Sequence, residues 1–161
     1  MSRSDLLNLG SSFKDCSNTE SGGWADIRLR EGKFISEIPR NQVIISQIGD
    51  VSIENITLNS PEVKFLKDYQ TKKKFSEIDL QKNALSSGIK ENGFLYSTTA
   101  PVKLNSIYVL RTIAYKTQSD EPGDIRADLI LAFKVVGIEK DGNVIILWKE
   151  LNKDEAPRMK D

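Results

Sequence analysis

The sequence contains no histidine and only one cysteine, Cys16, among its 161 residues. Without histidine the chain cannot assemble a Ser-His-Asp or Cys-His catalytic group, and it lacks the commonest ligand of transition metals. A single cysteine excludes an intrachain disulfide and a structural zinc site made from this chain alone. The chemistry that remains depends on carboxylates, lysine, tyrosine, or a hard cation held by oxygen atoms. We therefore expect no cofactor, and the residue types favour a non-catalytic protein over an enzyme.

An excess of one charge is also missing, because 23 Lys and Arg residues balance 23 Asp and Glu residues. Nucleic-acid-binding domains usually carry a basic excess, so a nucleic-acid partner is disfavoured. No apolar run is long enough for a membrane span or a signal peptide. As written, the sequence predicts a cytoplasmic protein. A domain cut from a secreted or periplasmic precursor would have the same features.

The composition is that of an ordinary globular protein, with 39% hydrophobic and 29% charged residues. The length suits one domain with a sizeable core. Residues 1–23 are small and polar, which predicts a flexible N-terminal arm. We expect a single β-rich domain over residues 24–151 and a charged C-terminal tail over residues 152–161.

The strongest pattern runs from Ala127 to Leu151, where two apolar segments flank Asp141-Gly142. Asp-Gly favours a two-residue hairpin turn with positive φ at both positions. Both segments are apolar on both faces, which predicts central strands covered on two sides or lining a barrel. Alternation places these residues of the first strand on two opposite faces: Leu129, Leu131, Phe133 and Val135 on one, and Ile130, Ala132, Val136 and Ile138 on the other.

Other segments complete the predicted architecture. Further strands are expected over residues 24–30, 33–38, 43–48, 51–58 and 106–117. Ser60-Pro61 predicts the start of a helix that ends near Gln70. Residues 75–87 fit either a second helix, with Ser76 as its N-cap and Leu80 facing inward, or an irregular segment. The fold class is therefore mainly β, or α+β. We expect an antiparallel β-sandwich or a partly closed barrel, with one or two short helices inserted near residues 60–87.

Four residues are candidates for contact with a ligand or a partner. Arg111 and Lys134 interrupt otherwise apolar strand patterns. A charge in such a position lines a pocket, pairs with a buried counter-charge, or reaches water along its stem. Tyr108 and Trp148 are the aromatic candidates, although aromatic residues spaced this way along strands more often pack in a core.

Two clusters of like charge remain. The first is an acidic cluster of four residues: Asp120, Glu121, Asp124 and Asp128. Its carboxylate oxygen atoms suit Ca²⁺ or Mg²⁺, but its spacing matches no EF-hand. An exposed acidic turn is therefore the commoner explanation. The second is Lys72-Lys73-Lys74, which fits either the solvated end of the preceding helix or an anion site.

These observations favour a non-catalytic binding module, with another protein as its partner and a sheet face or edge as its surface. The alternative is a barrel that binds a small ligand, with Arg111 or Lys134 inside. A carboxylate-based hydrolase ranks third, because it requires two acidic residues to meet with separated pKa values. The carboxylates considered for that role are Asp26, Glu54, Asp124 and Asp128.

Overall fold

The structure, a computed structural model, describes residues 27–36, 41–117 and 126–160, together with the backbone of residues 8–13. These residues form ten strands, two α-helices and a short 3-10 turn. The strands are β1 (Asn8–Phe13), β2 (Arg28–Arg30), β3 (Lys33–Ile35), β4 (Asn41–Gly49), β5 (Ile89–Glu91), β6 (Phe94–Tyr96), β7 (Ala100–Pro101), β8 (Ile107–Ala114), β9 (Ala127–Ile138) and β10 (Val144–Glu155). The helices are α1 (Pro61–Asp68) and α2 (Phe75–Ser86), and the 3-10 turn is Ile53–Asn55.

The central feature is a five-stranded antiparallel sheet in the order β1-β10-β9-β8-β4. A three-stranded sheet, β2-β3-β7, and the two-stranded hairpin β5-β6 accompany it. The predicted fold class is confirmed, since the protein is mainly β with two short helices between β4 and β5. Across the described residues the large sheet is open and does not close into a barrel. The arrangement is a sandwich-like α+β fold.

The large sheet is covered on both faces. One face packs against the β2-β3-β7 sheet, and Phe34 of β3 lies at the centre of this first core, with its ring centroid 5.2 Å from those of Tyr108 and Phe133. The opposite face packs against α1, the 3-10 turn and the β5-β6 hairpin to form a second core. Strand β8 shows the result most clearly, because all eight of its residues are buried. The prediction of central strands covered on two sides is confirmed.

The turn between β9 and β10 differs from the predicted two-residue form. Glu139 N donates to Asn143 O at 2.8 Å, and Gly142 N donates to Glu139 O at 3.0 Å. Gly142 has φ of 87°, while Asp141 is not among the residues with positive φ. The loop therefore contains three residues, a type I turn followed by a left-handed glycine. The prediction was wrong on loop length because Asp-Gly serves both turn types equally well.

The faces predicted for the hairpin are confirmed except at its end. A register shift between Ile145 and Ile146 of β10 leaves Val136 of β9 as an extra, bulged residue. Beyond this bulge Ile138 pairs with Val144, which is buried in the first core. Residues directly opposite each other share a face, so the bulge moves Ile138 to the face opposite the one that strict alternation predicts.

Residues 51–58 do not form the predicted strand. They contain the 3-10 turn instead, and both Ile53 and Ile56 are buried at 3% exposure. A spacing of three residues places both side chains on one side of such a turn. The apparent alternation of apolar residues was therefore a misleading signal over this short segment.

Both predicted helices are present. Helix α1 begins at Pro61 after Ser60, as expected. Helix α2 has Lys74, not Ser76, at its N-cap, and Leu80 is 69% exposed although it was expected to face inward. Ile78 is buried in this helix, and two residues later the chain has turned by about 200°, which carries Leu80 to the outer side.

Both ends of the chain contribute to the sheet structure. Residues 8–13, within the predicted arm, pair with β10, and β10 continues to Glu155 through the first part of the predicted tail. Residues 157–160, here called the C-terminal strap, then pair in parallel with Lys116 on one side and Lys74 on the other. Met159 of the strap packs against the buried side chains of Ile78, Ile113 and Tyr115.

We expect the protein to lose stability in alkaline solution because burial raises the pKa of all four of its tyrosines, that of Tyr96 to about 12. A raised pKa in the folded state favours the neutral phenol. The resulting contribution to the free energy of unfolding is complete below the ordinary tyrosine pKa of about 10. It is lost as the pH rises towards the pKa of the folded state. Urea unfolding, followed together with tyrosinate absorbance from neutral pH upward, should show this decline. Tyr96→Phe should make the decline shallower, and a stability that stays constant up to about pH 12 would contradict the interpretation.

Candidate functional site

Arg111 of β8 and Asp128 of β9 form a buried ion pair. Arg111 Nε donates to Asp128 Oδ1 at 2.9 Å, and Arg111 Nη2 donates to Oδ2 at 2.6 Å. Both side chains are only 10% exposed. The strand register brings them together, since Arg111 pairs with Ile130 and Asp128 lies two residues away along β9. This two-pronged geometry supplies a buried guanidinium with the counter-charge that it needs.

The remaining guanidinium nitrogen holds helix α1 against the sheet. Arg111 Nη1 donates to Leu66 O at 2.7 Å and to Tyr69 O at 2.8 Å. The carbonyl groups of the last helical turn lack partners within the helix and carry partial negative charge, so a cation is favourable there. Arg111 therefore satisfies the C-terminus of α1 and the carboxylate of Asp128 together.

A polar cluster continues from this pair towards helix α2. Tyr115 Oη donates to Gln42 Oε1 at 3.3 Å, and Gln42 Nε2 donates to Tyr69 Oη at 3.3 Å. Gln42 Nε2 also lies 3.4 Å from Gln81 Oε1 on α2. Desolvation by burial raises the pKa of Tyr69 and Tyr115, so both phenols stay protonated at neutral pH. The cluster links both helices to the sheet through groups that satisfy one another.

Lys134 lies on the same sheet face as Arg111 but in a different environment. Its side chain is 27% exposed, and its Nζ is 4.0 Å from Asp50 Oδ1. A neighbouring cation that the sequence reasoning missed, Lys149 of β10, is buried and donates from Nζ to Glu54 O at 3.2 Å. Lys149 interrupts an apolar alternation just as Lys134 does, so the same signal could have identified it.

Glu54 is a carboxylate on which the charges of both lysines act. The pKa of Glu54 is lowered, first by the hydroxyl group of Ser52 and to a smaller extent by the charges of Lys149 and Lys134. A general acid at neutral pH needs the opposite shift. Asp128, another carboxylate considered for hydrolysis, is bound to Arg111, while Asp26 and Asp124 lie outside the described residues.

Tyr108 and Trp148 lie on the other face of the sheet, in and beside the first core. The Tyr108 hydroxyl donates to Pro101 O at 2.6 Å and accepts from Lys103 N at 2.9 Å. Its ring stacks on Phe133 with centroids 4.9 Å apart. Trp148 pairs with Phe133 across the strands and is partly buried. The four candidates are thus divided between two faces of the sheet and do not converge on one site.

The predicted acidic cluster falls mostly outside the described part of the chain. Asp120, Glu121 and Asp124 belong to the segment that the structure leaves out, and only Asp128 is placed. Among the described residues, no three carboxylate or cysteine side chains come together as a metal site requires.

An edge of the large sheet is the remaining feature that bears on binding. Strand β1 pairs with residues 144–148 of β10, and β10 then continues for seven further residues to Glu155. Those residues pair with β9 on one side, and no described strand pairs with them on the other. Unpaired backbone N–H and C=O groups of an edge strand can pair with another extended chain. We call residues 149–155 the β10 edge.

Comparison with known proteins yields no relative. No family model matches the chain, and no curated protein or solved structure shows significant similarity to it. Within the described residues, no helix has the length and apolar character needed to cross a membrane.

Asp128→Ala should lower the free energy of unfolding by about 3–5 kcal/mol, because it leaves Arg111 buried without its counter-charge. Replacing both residues with apolar ones, Arg111→Met with Asp128→Leu, should cost less than this single change. Urea unfolding followed by tryptophan fluorescence measures both effects. The matched control is Lys134→Met, which removes the half-exposed contact with Asp50 and should cost about 1 kcal/mol or less. Equal losses for Asp128→Ala and Lys134→Met would show that the buried pair has no special role.

Proposed function

We propose that this protein is a non-catalytic binding module that takes an extended segment of a partner protein along the β10 edge. The observation that carries the proposal is the extent of β10 beyond its pairing with β1. An extended partner can add a strand there through main-chain hydrogen bonds, with its alternate side chains providing specificity.

The sheet faces support the choice of an edge. Both faces of the large sheet are filled by the protein's own cores, and the buried side chains of β8 and β9 are committed to them. A partner that bound a face of these central strands would have to displace a core layer. An added strand needs no such rearrangement.

The β10 edge also carries features that restrict pairing. The register with β9 shifts between Glu150 and Asn152, and the exposed residues Lys153, Asp154 and Glu155 follow. Bulges and charges of this kind protect natural edge strands from indiscriminate pairing. Since opposed residues on adjacent strands share a face, a matching segment would place an acidic residue opposite Lys153 and a basic residue opposite Asp154.

Binding of a small ligand inside the fold has weaker support. Arg111 already uses three of its nitrogen atoms on Asp128 and the end of α1. Lys134 instead lies near Asp50, beside the 3-10 turn. Arg111 and Lys134 therefore do not line one common cavity. The edge is therefore the better candidate surface.

Proline substitutions at Lys153 and Asp154 test the proposal, because neighbouring residues of a strand direct their N–H groups to opposite sides. Proline at the position whose N–H bonds to β9 removes that hydrogen bond and should lower the unfolding temperature. Proline at the position whose N–H points outward should leave the unfolding temperature almost unchanged and should abolish partner capture. Capture is measured by a photo-crosslinking residue at Glu155, in extract from the protein's own source.

A photo-crosslinking residue at the exposed Asn83 of α2 serves as the matched control for random collision. The proposal requires a crosslinked species that is specific to position 155 and that disappears in the stable proline variant. If the crosslinked species persists in that variant, the partner does not pair with the edge and the proposal fails.

A further inference from the structure

The C-terminal strap brings together cations from three distant parts of the sequence. Lys116 N donates to Pro157 O at 2.9 Å, and Met159 N donates back to Lys116 O at 2.8 Å. On the other side of the strap, Lys160 N donates to Lys73 O at 2.8 Å. These bonds form a small parallel arrangement in which Lys116 is bridged to Arg158, and Lys74 is bridged to Lys160.

The direction of Met159 defines the outer side of this arrangement. Its side chain packs inward against the cluster of Ile78, Ile113 and Tyr115. Residues on either side of it in an extended segment point the opposite way, and bridged residues share a face. Four cations therefore lie on the side of the strap opposite Met159, here called the basic face. Lys74, Arg158 and Lys160 are exposed there, while the side chain of Lys116 is only 16% exposed.

The basic face places cations of neighbouring strands side by side. Like charges on neighbouring strands repel each other. Lys72-Lys73-Lys74 also leads directly into the N-terminus of α2, where the helix dipole disfavours cations and where the N-cap Lys74 makes no side-chain cap. This placement differs from the expected one, since the three lysines lie four to six residues beyond the end of α1 at Asp68 and immediately before α2.

Few described anions offset this charge. Glu155 lies 3.7 Å from Lys116 Nζ, but its side chain is 89% exposed, so the pair is weak. Glu77, in the first turn of α2, is the acidic residue that suits the helix N-terminus. Arg158 Nη1 is bonded to Thr117 O at 2.7 Å, which fixes the position of its guanidinium at the surface.

We propose that the basic face binds an acidic, extended segment of a partner protein. Arg158 and Lys160 are two residues apart, about 6.6 Å along the strap, which is also the repeat of alternate side chains in an extended peptide. Every second carboxylate of such a peptide can therefore meet a cation of the basic face. Phe75 lies next to Lys74 and is 60% exposed, so it offers the same segment an apolar contact. This site adjoins the β10 edge at Glu155, whose carboxylate lies 3.7 Å from Lys116 Nζ, but the inference rests on the cations and stands without that proposal.

A short acidic peptide fits these observations better than a polyphosphate or a lipid surface does. The chain has zero formal net charge, so it has no overall attraction for a polyanion. Duplex DNA carries about one charge per 1.7 Å, and its tight binders match it with long basic surfaces. The basic face is instead a compact group of cations on neighbouring strands.

Fluorescence anisotropy with a fluorescein-labelled peptide of alternating Glu and Ser tests the inference. We expect saturable binding at low ionic strength that weakens as salt is added. Lys74→Gln with Lys160→Gln should weaken it by about tenfold, because two exposed charge contacts are lost. Lys33→Gln with Lys90→Gln is the matched control, since it removes the same charge from two exposed lysines on β3 and β5 and should leave binding within about twofold of the unmodified protein.

Two further probes identify the class of partner. Phosphatidylserine vesicles and a labelled single-stranded DNA oligonucleotide should each bind more weakly than the acidic peptide does. Tighter binding of either probe, equal losses in the two double variants, or no peptide binding at low ionic strength would overturn the proposal. The proline variants of the β10 edge provide an independent check, because the one that remains stable should still bind the peptide.

Discussion

A guanidinium buried within a sheet must be matched by partners on every side, and the way in which Arg111 meets this requirement organises much of the fold. Its bonds to Asp128 join β8 to β9, and its bonds to Leu66 O and Tyr69 O fix the end of α1 against both strands. The helix cannot shift along the sheet without leaving a buried charge and several carbonyl groups unpaired. Arg111 is therefore explained by architecture, although a charge in an apolar strand first suggests a ligand site.

The two cores occupy both faces of the central strands. Aromatic stacking around Phe34 fills one side of the central strands, while α1 and the β5-β6 hairpin fill the other. Within the described residues, the two surfaces that we propose for recognition are the β10 edge and the basic face, and the C-terminal strap of the basic face follows β10 directly along the chain. The β10 edge would bind its partner through backbone hydrogen bonds, and the basic face would bind through charge.

Local patterns in the sequence predicted the hairpin strands, most of their faces and the presence of both helices, because alternation and capping act over a few residues. One local signal, the Asn92-Gly93 pair, was overlooked. Both residues have positive φ in the two-residue turn between β5 and β6, which is the turn that Asn-Gly favours. The partners of Arg111 were beyond reach, since Leu66 lies 45 residues away in sequence. The basic face was equally hidden, because no short pattern connects Lys74, Lys116 and Lys160.

The separation of β4 from β8 has a consequence for the kinetics of folding. Gln42 and Tyr115, which bond to each other across these neighbouring strands, are 73 residues apart, and the intervening chain contains both helices and the β5-β6 hairpin. Closing so long a loop costs chain entropy before any contact compensates for it. The β9-β10 hairpin closes through only three residues, so it can form early and present β9 as a template for β8. We therefore expect the addition of β4 to be slower than the formation of the β9-β10 hairpin.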